Sequence, residues 1–225
     1  MKTFINLDNK LLSSLPEYFK NDDVRFPESL VEIFINEYSK PGDIIFDPFA
    51  GYGTTLIIAE KLNRIGFGIE YLEDRVEFIE SKIFNKNNII YGSSLELEKY
   101  DIPMIDLSIT SPPYMSKNDH EQYPFAGYQI TGDGYTQYLQ DIKKVYNSIK
   151  RKLKPNAYVI VEISNIVNNE INTPLAWDVA KVISEVFTFE KEIVICWNKT
   201  DNNSDEYNYG FGYDHSYCLV FRNNM

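Results

Sequence analysis

Asp47-Pro48-Phe49-Ala50-Gly51-Tyr52-Gly53-Thr54-Thr55 is the stretch whose reading decides the fold. It follows the apolar residues Ile44, Ile45 and Phe46, and Pro41-Gly42 stands just upstream, so residues 43–46 read as a short buried strand. Gly51 and Gly53 permit positive φ and close backbone approach, and Thr54 and Thr55 suit the start of a helix. Thr54 to Asn63 then carries Leu56, Ile57, Ile58, Ala59 and Leu62 on an apolar face. A strand that breaks into a glycine turn and restarts as a helix is a building unit of doubly wound sheets, which hold nucleotide-like ligands at that turn.

The periodicity on either side agrees. Pro27 opens a helix over 28–38, with apolar positions 30, 31, 34, 35 and 38. Residues 1–24 show no clear period and suggest a short helix around Asn9 to Phe19. Downstream, Gly66 to Glu70, Asn88 to Tyr91 and Ile105 to Thr110 read as strands, with a helix from Leu72 to Phe84. Tyr135 to Leu153 reads as a helix, Ala157 to Ile163 as a strand and Pro174 to Val186 as a helix. Phe187 to Trp197 and Ser216 to Arg222 are strands with no helix between them, which predicts an antiparallel hairpin at the sheet edge. The predicted fold class is α/β: a doubly wound, mostly parallel seven-stranded sheet with that edge hairpin. Residues 1–225 read as one domain, with aperiodic loops at 115–135 and 198–214 on the substrate side.

Bulk properties bound the partners. A chain of 225 residues with 44% hydrophobic and 24% charged residues suits a globular domain. Its apolar runs are strand-sized, short of the roughly 18 residues that span a bilayer, so no membrane partner is expected. Lys2 and Lys10 flank no continuous apolar core, which argues against a signal peptide, and a cytoplasmic location is the default. Cys196 and Cys218 sit in apolar runs as buried thiols. The net charge of -11 runs against the basic footprint of most nucleic-acid binders.

The glycine turn is no P-loop, because no Gly-Lys-Ser/Thr follows, and it lacks the third glycine of the dinucleotide fingerprint. Asp47 instead places a carboxylate at the strand end, which suits a cationic ligand. Glu70 ends the next strand, where a carboxylate can accept from both ribose hydroxyls. The second informative segment is Thr110-Ser111-Pro112-Pro113-Tyr114, at the end of another strand. Its prolines fix φ and remove two amide donors. Ser111 Oγ and the Pro112 carbonyl can therefore accept from an exocyclic NH2 group, and the Tyr114 ring offers a face for an extruded base. Such chemistry needs no protein nucleophile and no metal.

With both segments in hand, the chain resembles the S-adenosylmethionine-dependent DNA amino-methyltransferases of the N4-cytosine/N6-adenine type. Residues 47–55 resemble their cofactor motif, Asp-Pro-Phe-Xaa-Gly-Xaa-Gly-Thr-Thr, and Arg25-Phe26-Pro27 resembles the motif they place upstream. The resemblance extends from about residue 24 to the C-terminus and implies a Rossmann-like methyltransferase fold with S-adenosyl-L-methionine as cofactor. It puts Phe26, Asp47, Gly51 and Thr54 at the methionine portion, with Phe49, Gly53 and Thr55 completing the motif, and Glu70 at the ribose. Ser93, in the turn Gly92-Ser93-Ser94, is the adenine candidate where many relatives carry an acidic residue. The implied reaction is methylation of an amino group on a flipped DNA base, in the setting of DNA methylation and restriction-modification. Ser-Pro-Pro-Tyr is the form common among N4-cytosine enzymes, so cytosine N4 is favoured over adenine N6. An amino group of an RNA base and a non-catalytic binding subunit are the remaining alternatives. C5-cytosine chemistry is excluded, since neither Cys196 nor Cys218 adjoins a proline.

Substrate recognition is expected from the loops. His120, Tyr123, Phe125 and Tyr128 are candidates to close over the flipped base, with Trp197 and Asn198 as further walls. Lys143, Lys144, Lys150, Arg151, Lys152 and Lys154 are assigned to one helix, as a solvated face or a DNA contact. No segment is long enough for a large recognition domain. Either the loops read a short site, or a homodimer or separate specificity partner supplies the reading.

Overall fold

The computed structural model describes residues 2–22, 25–117, 134–168, 170–198 and 212–224. Its strands are β1 (Phe4–Asp8), β2 (Ile44–Asp47), β3 (Ile65–Glu70), β4 (Ile89–Tyr91), β5 (Ile105–Thr110), β6 (Leu153–Ile163), β7 (Ile166–Asn168), β8 (Ile171–Thr173), β9 (Thr188–Asn198) and β10 (His215–Arg222). The helices are α1 (Glu28–Tyr38), α2 (Thr54–Lys61), α3 (Glu73–Glu80), α4 (Gly134–Lys150) and α5 (Leu175–Ser184). One sheet of eight strands runs in the order β1-β9-β10-β6-β5-β2-β3-β4, and β7 and β8 form a separate pair. Strands β2 to β6 pair in parallel, and β10 is antiparallel to both β6 and β9.

Alternation along the strands sends side chains to two cores. Phe46, Val159 and Val161 pack with Tyr138, Ile142 and Val145 of α4 and Val179 and Ile183 of α5. Their neighbours Ile45, Leu107, Ile109 and Ile160 pack with Leu30, Val31, Phe34 and Ile35 of α1 and with Ile58 and Ala59 of α2. Helices on both faces bury the sheet, as an apolar parallel sheet requires. The strand order reverses between β2 and β5, which lie side by side. A crevice beyond the carboxyl ends of strands at such a reversal is where open α/β sheets bind ligands.

The α/β, mostly parallel, doubly wound class is as expected, and several details differ, the separate β7–β8 pair among them. The sheet has an eighth strand, because residues 4–8 form β1, parallel to β9 from Phe4 opposite Val194 to Asp8 opposite Asn198. The hairpin of β9 and β10 therefore lies one strand inside the edge. In place of the helix expected at Asn9 to Phe19, the described helical residues there are a 3-10 turn at Glu17–Asp22. Helix α4 ends at Lys150, so Arg151 and Lys152 lie in the following turn and Lys154 lies on β6. Among the described residues, no helix is long and apolar enough to cross a membrane.

Candidate active site

Because Ile45 lies opposite Leu107 and Phe46 opposite Ser108, the segments leaving β2 and β5 emerge together. One is the glycine turn and the other is Ser111 to Tyr114. Between them lies a cavity of about 300 Å³, a size at the lower end of small-molecule sites. Phe49, Gly51 and Thr54 line it from the turn, and Ser111, Pro112, Pro113 and Tyr114 from the end of β5. Phe26, Glu70 and Ser93 complete its wall from three other segments. Phe26 and Tyr114, 88 positions apart in the chain (114 − 26), thus face one space.

The turn is built by its backbone. Gly51 has φ +58° and Gly53 φ +79°, conformations that L side chains rarely adopt. Gly53 caps the start of α2, and a Cβ there would stand 2.8 Å from Cγ1 of Ile79. Glu70 holds the turn from β3: its Oε2 accepts from Gly51 N at 2.8 Å and its Oε1 from Leu72 N at 2.9 Å. Burial raises the Glu70 carboxyl above its usual range despite those bonds and the nearby Arg75 guanidinium. Arg75 itself lines the cavity and lies 4.5 Å from the centre of the Tyr52 ring.

Asp47 points inward. It is 1% exposed and does not line the cavity. Its Oδ1 accepts from Thr110 Oγ1 at 2.5 Å and Phe49 N at 3.0 Å, and its Oδ2 accepts from Thr55 Oγ1 at 2.7 Å. Burial pushes its carboxyl up to about 6, against the lowering effect of those donors. Tyr146, completely buried on α4, is close enough that the Asp47 charge adds to burial in raising its hydroxyl.

The tetrapeptide is held from β6. Tyr114 Oη accepts from Ser164 N at 2.8 Å and donates to Glu162 Oε2 at 3.4 Å. Glu162 and Ser164 are completely buried. The Tyr114 ring is half-buried against the core, and Ser111 is half-buried and lines the cavity. Pro112 and Pro113 present carbonyls without competing amide donors.

Several expected residues stand elsewhere. Gly53 and Thr55 sit behind the cavity, packed on Ile79 and bonded to Asp47 respectively. Ser93 lines the cavity, and its Oγ also accepts from Leu95 N at 3.3 Å. Trp197 is buried in the core on the α1 side of the sheet, and Asn198 donates to Asp8 Oδ1 at 2.8 Å; neither lines the cavity. His120, Tyr123, Phe125 and Tyr128 lie outside the described residues. The cavity also takes in Arg25, Tyr71, Leu72 and Arg75, which the sequence reading did not single out. Arg25 stood inside the quoted upstream motif and Tyr71 directly after Glu70, so both were within reach of it. Four of the six cations of the basic run have partners: Lys143 with Glu185, Arg151 with Glu98, Lys154 with Asp106 at 2.7 Å, and Lys150 with the Val186 carbonyl at 2.8 Å. Among the described residues, no group of three or more His, Cys, Asp or Glu is placed to hold a metal.

Comparison with known proteins gives this geometry a family. The orphan methyltransferase M.BamHII of Bacillus amyloliquefaciens is 38% identical over 80 residues, which is 36% of this chain and 29% of that protein. The type II methyltransferase M.HinfI of Haemophilus influenzae is 25% identical over 198 residues, covering 88% of this chain and 41% of that protein. This chain thus spans well under half the length of either relative. A crystal structure of a SAM-dependent methyltransferase from Archaeoglobus fulgidus superposes with a TM-score of 0.56 at 17% identity, over 92% of this chain and 100% of that one. At that identity the likeness concerns the fold, which is the Rossmann-like methyltransferase fold. The N6_N4_Mtase family model, described as DNA methylase, matches residues 8–81 and 105–225, most of the chain and both segments at the cavity. By that match the chain belongs to the N6/N4 family of DNA methylases.

Proposed function

We propose that this chain transfers a methyl group from S-adenosyl-L-methionine to an exocyclic amino group of a DNA base, with cytosine N4 favoured over adenine N6. The observation that carries the proposal is the single cavity bounded by the glycine turn and Glu70 on one side and by Ser111 to Tyr114 on the other. The residues present fit the cofactor: two glycines at positive φ let the backbone come close, and Phe26 and Phe49 offer apolar surface. The Glu70 carboxylate, oriented by the Gly51 and Leu72 amides, lines the cavity where it can accept from ribose hydroxyls. When bound, the cofactor supplies a methyl group whose S–C bond breaks as the N–C bond forms, while the amino nitrogen loses a proton.

The chain's own contribution is orientation. Ser111 Oγ and the Pro112 carbonyl accept from the two amino hydrogens, which directs the nitrogen lone pair at the cofactor side of the cavity. Tyr114, its hydroxyl fixed by Ser164 N, provides a rigid face for the base. Ser111, where adenine-N6 relatives carry Asp or Asn, supports cytosine N4. We read residues 1–225 as one methyltransferase domain. The net charge of -11 and the ion pairs that hold Lys143, Arg151 and Lys154 support target reading by the loops at 115–135 and 198–214, by a second copy, or by a specificity partner.

Methyl-labelled S-adenosylmethionine incubated with unmethylated DNA, with RNA, or with neither tests the proposal. Label is expected in DNA alone. Label in RNA alone would reassign the substrate, and cofactor binding without transfer to either would make the chain a binding subunit.

A further inference from the structure

We infer that Asp47 is a positioning residue that yokes the cofactor turn to the catalytic strand, and that it does not touch the cofactor. The inference rests on the cofactor reading above and departs from the role that Asp47 carries by resemblance. Its side chain is 1% exposed and stands outside the cavity wall. An aspartate that bound a ligand ammonium needs a free lone pair on an open path. Three of about four lone-pair directions here are already occupied.

The three donors identify what the carboxylate joins. Thr55 lies in the first turn of α2, beside Thr54 on the cavity wall. Phe49 belongs to the glycine turn and lines the same wall. Thr110 is the last residue of β5, directly before Ser111. Thr55 and Thr110 are both completely buried, so neither hydroxyl has water as an alternative partner. The Asp47 carboxylate thus joins the glycine turn, helix α2 and the end of strand β5 through one side chain. Transfer between two bound groups is sensitive to misplacement of about 1 Å, which such a yoke prevents.

The test compares ligands with and without the amino-acid portion. Asp47→Asn is expected to weaken S-adenosylhomocysteine and 5'-methylthioadenosine by the same factor, about ten-fold each, because the turn itself shifts. Loss confined to S-adenosylhomocysteine would overturn the inference, since that pattern marks a direct contact to the methionine ammonium. Thr110→Val is expected to lower kcat on unmethylated DNA about ten-fold while S-adenosylhomocysteine affinity stays within about three-fold, and Thr110→Ser to restore it. The double variant is expected to be no slower than the slower single one, within about three-fold, whereas fully additive losses would break the link. Should Asp47→Asn fail to fold, the Thr110 pair alone decides: equal kcat in Thr110→Val and wild type overturns the inference. If the wild-type chain binds neither ligand, the cofactor reading fails first and the inference with it.

Discussion

Asp47 carries a charge in a place that water does not reach, and that sets a pH signature. Its carboxyl is pushed up to about 6 by burial, so the folded chain holds this proton more tightly than the unfolded one. The resulting stabilisation is complete below the ordinary carboxylate range and is lost as pH rises through about 6. Asp47→Asn cannot titrate, so its stability relative to wild type is expected to rise by on the order of 3 kcal/mol between pH 4 and pH 8. Glu70 titrates in both proteins and largely cancels. Denaturant melts across that range check the trend, and a difference flat in pH would contradict it. The acceptor residues separate differently. Tyr114→Ala removes the base platform and is expected to cost about 1–3 kcal/mol, or roughly ten- to hundred-fold in kcat/KM. Tyr114→Phe keeps the ring but strands the buried Ser164 amide, so it is expected to lose about 1–3 kcal/mol of stability with a smaller effect on turnover. The positions of Asp47 and Ser111 were legible in the sequence, but the direction of the Asp47 carboxylate was not. Its partner Thr110 is 63 residues away, and no local pattern says which of two neighbours a strand-end carboxylate will face.

Elements whose form follows from local pattern were read closely, and those made by tertiary pairing were not. Helix α1 and strand β5 coincide with the expected 28–38 and Ile105 to Thr110, because their apolar spacing and their Pro and Gly punctuation agree. Strand β1 left a fainter trace. Ile5 and Leu7 are half-buried and alternate with exposed Phe4, Asn6 and Asp8, but over five residues that alternation is short, and pairing with β9 is what makes the strand. What secures the segment after it is Glu28, at the start of α1. Its carboxylate accepts from Leu12 N at 2.9 Å, Ser13 N at 3.1 Å and Ser13 Oγ at 2.6 Å. Glu28→Ala is therefore expected to lower stability by about 1–3 kcal/mol and to expose residues 9–16 to proteases. Limited proteolysis with mass mapping checks this, and unchanged cleavage would mean that the segment is held by other contacts. The site was legible as two segments because each carries its own punctuation. That they share one cavity depends on β2 and β5 being neighbours, a fact of sheet order.

At the scale of the molecule, a net charge of -11 meets a polyanionic substrate. Lys143, Arg151 and Lys154 of the basic run are paired with Glu185, Glu98 and Asp106, so those three cations offer little to phosphate. The isolated chain is expected to bind duplex DNA weakly, with log K falling against log salt at a slope shallower than about -3, the mark of few neutralised phosphates. Anisotropy titrations over a range of salt measure that slope, and one near -8 would show a basic surface unaccounted for here. The fold and the family leave the chemistry as the central claim, and it is open to a direct measurement. DNA free of modified bases is treated with the chain and S-adenosylmethionine, digested to nucleosides and analysed by mass spectrometry. The expected product is N4-methyldeoxycytidine, absent when Ser111 is replaced by a residue that cannot accept a hydrogen bond. Recovery of 5-methyldeoxycytidine, or of no methylated nucleoside while the cofactor binds, would contradict transfer to an amino nitrogen at this site.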